Sequence, residues 1–125
     1  MAKTILMVDD SASLRSVVKL ALADAGYEVL EACDGQDAIS KVASLGGKRI
    51  HLVISDVNMP RMGGIEFVTR LKQDPAYKFT PVIMLTTESK DTVKEQGRAA
   101  GAKAWVLKPF NPPTMLAAVS KLIGP

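Results

Sequence analysis

Ile5-Leu6-Met7-Val8-Asp9-Asp10 decides the fold: a short apolar run stops abruptly on two carboxylates. The pattern recurs in Leu52-Val53-Ile54-Ser55, which ends at Asp56. Val82-Ile83-Met84-Leu85 ends in Thr86-Thr87, and Ala104-Trp105-Val106-Leu107 ends in Lys108-Pro109-Phe110. With Tyr27 to Leu30, these make five segments of strand length. Unbroken apolar runs this short suit strands buried on both faces, as in a parallel sheet.

The stretches between them have helical period. Leu14, Val17, Val18, Ala21, Leu22 and Ala25 share one face of a first helix, with Gly26 as its C-terminal cap. Ala38, Ile39, Val42 and Leu45 mark a second helix, stopped by Gly46-Gly47. Ile65, Val68 and Leu71 mark a third, ending before Pro75. The fourth, from about Lys90 to Ala100, has a thin apolar face that includes Gly97, so the sequence predicts the least stable helix there. In the fifth, Asn111 caps, Pro112 opens the first turn, and Met115, Leu116, Val119, Leu122 and Ile123 follow.

Strands alternating with helices predict an α/β sandwich with right-handed crossovers, whose function belongs at the carboxyl ends of the strands. There Asp9, Asp10 and Asp56 would gather three negative charges in one crevice, beside the Thr86 hydroxyl and the Lys108 ammonium. Such a cluster calls for a cation. Oxygen ligands without His or Cys select a hard ion, and Mg2+ fits best, with Mn2+ as its substitute.

Composition narrows the class. A chain of 125 residues, 47% hydrophobic, fits one domain with a full core. Its apolar runs are too short to span a membrane and its start lacks a secretory signal, so a cytoplasmic protein is expected. Cys33 has no second cysteine to pair with and reads as a small buried hydrophobe. His51 has no ligand-spaced partner and reads as structural. The net charge of +3 comes from scattered lysines and arginines without aromatic interleaving, which argues against nucleic acid.

Taken together, Val8-Asp9-Asp10-Ser11, Asp56-Val57-Asn58-Met59-Pro60 with Gly64, Thr86-Thr87-Glu88 and Lys108-Pro109-Phe110 resemble the receiver-domain signature of the response regulators. The resemblance covers the whole chain and is greatest to the stand-alone chemotaxis members. It implies a flavodoxin-like doubly wound (βα)5 fold with strand order 2-1-3-4-5, and residues 1–125 as one receiver domain without an output domain. Asp56 would accept a phosphoryl group from a histidine kinase. Asp10 and Asp56 would bind Mg2+ directly, Asp9 through water, and Asn58 through its backbone carbonyl.

By the same resemblance Lys108 would hold a phosphoryl oxygen after pairing with Asp56 at rest, and its bond to Pro109 would be cis. Thr86 would be the switch hydroxyl and Trp105 the switch aromatic, a place where Tyr or Phe is more usual. Asn58 and Glu88 would tune dephosphorylation by flanking the path of an attacking water. Helix four, strand five and helix five, with Lys90, Asp91, Lys94, Trp105 and Lys121, would form the face for a downstream protein such as a flagellar motor switch. A phosphatase is a further expected partner, and the chain should work as a monomer. Its only catalysis would be of its own phosphorylation and dephosphorylation.

Two other classes share parts of the pattern. A haloacid-dehalogenase-type phosphatase would need a second Asp where Asn58 stands. An FMN carrier would need a hydroxyl- and Gly-rich phosphate loop after the first strand, where Asp9-Asp10 would repel phosphate. Within the receiver family, a phosphorelay shuttle and a regulator that docks without phosphorylation are the alternatives.

Overall fold

The computed structural model describes residues 2–87 and 91–124, without the side chains of residues 91–93. Strands β1 (Thr4–Val8), β2 (Glu28–Ala32), β3 (Leu52–Asp56), β4 (Val82–Thr86) and β5 (Ala104–Leu107) alternate with helices α1 (Ala12–Asp24), α2 (Gly35–Ser44), α3 (Gly64–Lys72), α4 (Asp91–Ala100) and α5 (Pro112–Ile123). All strands are parallel, in the order β2-β1-β3-β4-β5, which is the flavodoxin-like order expected.

Burial follows from position in the sheet. β1, β3 and β4 are wholly buried, as continuous apolar strands covered on both faces must be. The edge strands are not: β2 exposes Glu28, and β5 leaves Leu107 44% exposed. One apolar layer joins the sheet to α2 and α3, with Ala38, Val42, Phe67, Val68 and Leu71 at its centre and Ala100 of α4 at its margin. The other joins it to α1 and α5 through Val18, Leu22, Met115 and Val119.

Several boundaries lie a residue or two from the sequence reading, with β1 starting at Thr4, β3 reaching Asp56 and β4 reaching Thr86, and two of the shifts have a clear local cause. The second strand starts at Glu28 and runs to Ala32, because Tyr27 still belongs to the turn that ends α1: its N–H donates to Leu22 O, while Gly26, at φ +97°, donates to Ala23 O. This is a Schellman ending with glycine in the left-handed position, so the Gly26 stop was legible. α1 starts at Ala12 because the Ser11 hydroxyl accepts from Leu14 N–H as its N-cap. α5 opens as read, with Asn111 accepting from Thr114 N–H and proline in the first turn.

Candidate functional site

Topology brings the carboxylates together. β1 and β3 are neighbours with Val8 opposite Ser55, so Asp9, just past β1, and Asp56, the last residue of β3, emerge side by side. Asp10 stands on the exposed rim, and one carboxylate oxygen from each of the three lies within 4.8 Å of the others. Lys108 follows β5 and reaches across β4, anchored by its N–H to Thr86 O at 2.7 Å. Its ammonium lies 2.9 Å from Asp9 Oδ2 and 3.1 Å from Asp56 Oδ2. The Lys108–Pro109 bond is cis.

Backbone N–H groups, Arg15 and a glycine complete the surroundings. Asp9 Oδ1 accepts from Ser11 N–H at 2.8 Å, and Asp56 Oδ1 from Asn58 N–H at 3.3 Å. Arg15 donates to the Asp9 carbonyl at 2.5 Å. A Cβ on Gly64 would overlap the carbonyl of Asp56, so α3 can begin this close to the acidic residue only with glycine there.

The electrostatics are those of a pocket short of positive charge. Asp9 is fully buried and Asp56 only 6% exposed. Burial pushes the Asp56 carboxyl above its ordinary range, and the neighbouring Asp9 adds to this while Lys108 opposes it. Burial works against the Lys108 ammonium, but its hydrogen bonds and attraction to Asp9 and Asp56 outweigh that, and its pKa is raised. Among the described residues, Lys108 is the one side-chain cation paired with Asp9 and Asp56, and Asp10 stands beside them on the rim, which leaves room in the charge balance for a divalent cation. An all-oxygen donor set of this size suits Mg2+.

Thr86 is buried at the end of β4. Met84 pairs with Trp105 and Thr86 with Leu107, so the Thr86 and Trp105 side chains project from the same face of adjacent strands, in diagonal register. Trp105 is half-buried, larger than the usual occupant yet accommodated, and its Nε1–H is buried without a hydrogen-bond partner. Lys94 lines two hollows that Trp105 also lines; Lys121 lies in the last turn of α5 and lines neither. Glu88, Lys90 and the Asp91 side chain fall outside the described residues.

One feature at the rim was not anticipated. Asp34, fully enclosed, caps α2 by accepting from Asp37 N–H at 2.8 Å and is gripped by Arg61, whose Nε donates at 2.7 Å. Arg61 has φ +66°, on the loop that carries Asn58, and Gly35 N–H donates to the Met62 carbonyl beside it. A Cβ on Gly35 would come within 2.7 Å of Met62. Asp34-Gly35 before a helical stretch is a readable cap; its partner 27 residues away is not. His51 is structural, its Nδ1 accepting from Thr4 N–H at 2.9 Å. Cys33 departs from the buried hydrophobe expected: it is half-buried, with its sulfur 3.8 Å from Asp34 Oδ2 and 3.9 Å from Arg61 Nη2, because it precedes the Asp34 cap that Arg61 grips.

The response regulator receiver domain family matches residues 5–120. The phosphate regulon transcriptional regulatory protein PhoB of Pseudomonas aeruginosa is 39% identical over 98% of this chain, which spans 54% of that protein's length. The chemotaxis protein CheY1 of Helicobacter pylori is 34% identical, with 96% of each chain covered. Among solved structures, the chemotaxis response regulator CheY4 of Vibrio cholerae superposes with a TM-score of 0.91 at 46% identity, over 98% of this chain and 99% of that one. The chain belongs to the response regulator receiver family.

Proposed function

We propose that this receiver domain accepts a phosphoryl group on Asp56 from the phosphohistidine of a histidine kinase and passes the signal to a protein partner, in a chemotaxis pathway. The observation that carries the reading is the Lys108 ammonium set between Asp9 and Asp56 in a pocket of three carboxylates. Asp9, Asp10 and Asp56, with the Asn58 carbonyl, would hold Mg2+. The ion would neutralise charge on the transferring phosphoryl group.

The chain's own groups do the rest. An Asp56 oxygen attacks phosphorus, the bond to the kinase imidazole breaks, and the imidazole keeps the bonding pair. Lys108 exchanges its Asp56 contact for a phosphoryl oxygen, and the Thr86 hydroxyl donates to another. Asp9 keeps its contact with the ammonium, which holds Lys108 in place. Asn58, two residues after Asp56, would flank the path of the water that later hydrolyses the acyl phosphate; Glu88 takes the same role from its place in the sequence alone, two residues after Thr86, and a phosphatase partner would act on the same bond.

As Thr86 moves toward the phosphoryl group, space opens on the face it shares with Trp105, whose ring turns inward. The face of α4, β5 and α5 changes with it and meets the downstream partner, a flagellar motor switch in the chemotaxis reading. Residues 1–125 work in this scheme as one monomeric domain in the cytoplasm, with output by reversible protein binding. The family match and the full-length similarity to CheY1 and CheY4 support it.

The test is incubation with acetyl phosphate, with and without Mg2+, followed by intact mass and Trp105 fluorescence, with Asp56→Asn as control. One Mg2+-dependent phosphoryl adduct, absent from the variant, is expected. No adduct under rapid quench would overturn the mechanism.

A further inference from the structure

Gly97 occupies an interior position of α4, where glycine is a poor helix former. Its place is explained by the indole of Trp105. A Cβ on Gly97 would overlap Trp105 Cζ3 and come within 3.0 Å of Cη2 and 3.3 Å of Cε3. The ring edge therefore lies directly on the α4 backbone, in the space that the side chain of any other residue would fill. Gly97 also supplies the carbonyl that closes the helix, accepting from Ala102 N–H at 2.9 Å. The contact is thus built into the last turn of α4.

Nothing polar fastens the ring there. Trp105 Nε1–H is buried without an acceptor, a situation that favours any arrangement in which the donor finds one. Two open hollows adjoin the ring. A hollow of about 490 Å³ lies toward Arg98 and Lys103, and one of about 390 Å³ toward Leu107 and Phe110; Trp105 lines both. The ring is seated by packing, with no hydrogen bond from its N–H and with open space beside it.

We infer that Gly97 is the positioning residue that seats Trp105 in the unphosphorylated protein, so that the fit between a helix glycine and an oversized switch ring sets the balance of the switch. This rests on the reading of Trp105 as the switch aromatic and adds a second control to it: Thr86 opens space on the inner side, and Gly97 holds the ring from the helix side. A larger residue at 97 should unseat the ring without touching the acidic pocket, whose residues come from other elements.

The experiment is a double-mutant cycle read by thermal unfolding and by fluorescence, which reports Trp105 alone because the chain has a single tryptophan. In the native background Gly97→Ala should lower Tm by roughly 4 °C or more through overpacking. In Trp105→Ala, where the seat is empty, the same change should raise Tm by a few degrees, as Gly→Ala does in an unobstructed helix. In the unphosphorylated single variant, acrylamide quenching of Trp105 should rise. Its fluorescence response to acetyl phosphate should fall at least twofold while the adduct measured by mass is unchanged.

Should Gly97→Ala prevent folding in the native background, pairing it with Trp105→Phe tests the same contact, and recovery of a cooperative transition supports the seat. The same sign of Tm change in both backgrounds overturns the inference, as does an unaltered fluorescence response. If the native protein forms the adduct with no change in Trp105 fluorescence, the switch role of Trp105 fails. The sign reversal then still establishes the seat as a packing contact, so the two failures are distinguishable.

Discussion

Replacing Lys108 by Met should destabilise the metal-free protein severely and make its stability depend on Mg2+. The lysine is 19% exposed at its side chain and makes both short contacts to the buried acids. Methionine keeps most of the volume and removes the charge, leaving Asp9 and Asp56 beside each other in a poorly solvated pocket. Removing one partner of a buried ion pair costs about 3–5 kcal/mol, and the partial exposure of Lys108 puts the expectation near ~3 kcal/mol. For 125 residues, an unfolding entropy of about 0.26 kcal/mol/K turns this into a fall in Tm of about 11 °C. Differential scanning calorimetry in EDTA near neutral pH measures it directly. Two further results must accompany the fall. Lowering the pH should narrow the gap between variant and native protein, because protonating a carboxylate relieves the repulsion. Adding Mg2+ should narrow it too, because without the competing ammonium the carboxylates of the variant bind the ion more tightly, and each tenfold tighter Kd stabilises the variant by about 1.4 kcal/mol more than the native protein. A drop in Tm under about 3 °C in EDTA would refute the reasoning, since Lys108 would then not be compensating the two acids. So would an equal Mg2+ increment in both proteins.

The same charge balance fixes the pH dependence of the native protein. Asp56 has a raised folded pKa, so its contribution is fully present below the unfolded value of 3.8 and is lost as pH rises through the raised value. Lys108 is also raised, and its contribution is lost only as pH climbs past 10.5. The Asp34 carboxyl is held low, first by the backbone N–H of Asp37 and then by Arg61, so its stabilisation is present above pH 3.8 and disappears as pH falls through the lowered value. Urea midpoints between pH 6 and pH 2 should therefore fall less steeply for Asp34→Asn than for the native chain, and identical slopes would refute the assignment. Asp10→Asn, at an exposed rim position, should change stability by no more than about 0.5 kcal/mol. Its Mg2+ Kd, measured by calorimetry, should nevertheless rise about tenfold, a loss of ~1.4 kcal/mol. Gly64→Ala forces a methyl into the Asp56 carbonyl and should cost about 3 kcal/mol by chemical denaturation, the upper part of the overpacking range.

Much of the site was legible because parallel α/β topology turns sequence position into spatial position. A residue directly after an apolar run must lie at the carboxyl edge of the sheet, which placed Asp9, Asp10, Asp56, Thr86 and Lys108 at one pole before any coordinates. The edge strands were less legible. β2 mixes Glu28 and Glu31 into its apolar pattern, as only one of its sides is paired, so its ends could not be read from hydrophobicity. Gly97 read as a weakness of α4, because one-dimensional pattern scores a glycine against helix propensity and cannot show the ring that requires it.

The sequence by itself determined the order of strands and helices, the pole at which the chemistry gathers, and the residue types offered there. These depend on local hydrophobic period, caps and chain order. Tertiary structure decided the contacts between segments distant in the chain. It set Lys108 between Asp9 and Asp56, paired Arg61 with Asp34, and laid Trp105 on Gly97 with its N–H unpaired. The physical reason is the same in each case. Whether two side chains meet across a sheet or a loop depends on register, crossing and close packing to within a fraction of an ångström, and no periodicity along the chain carries that information.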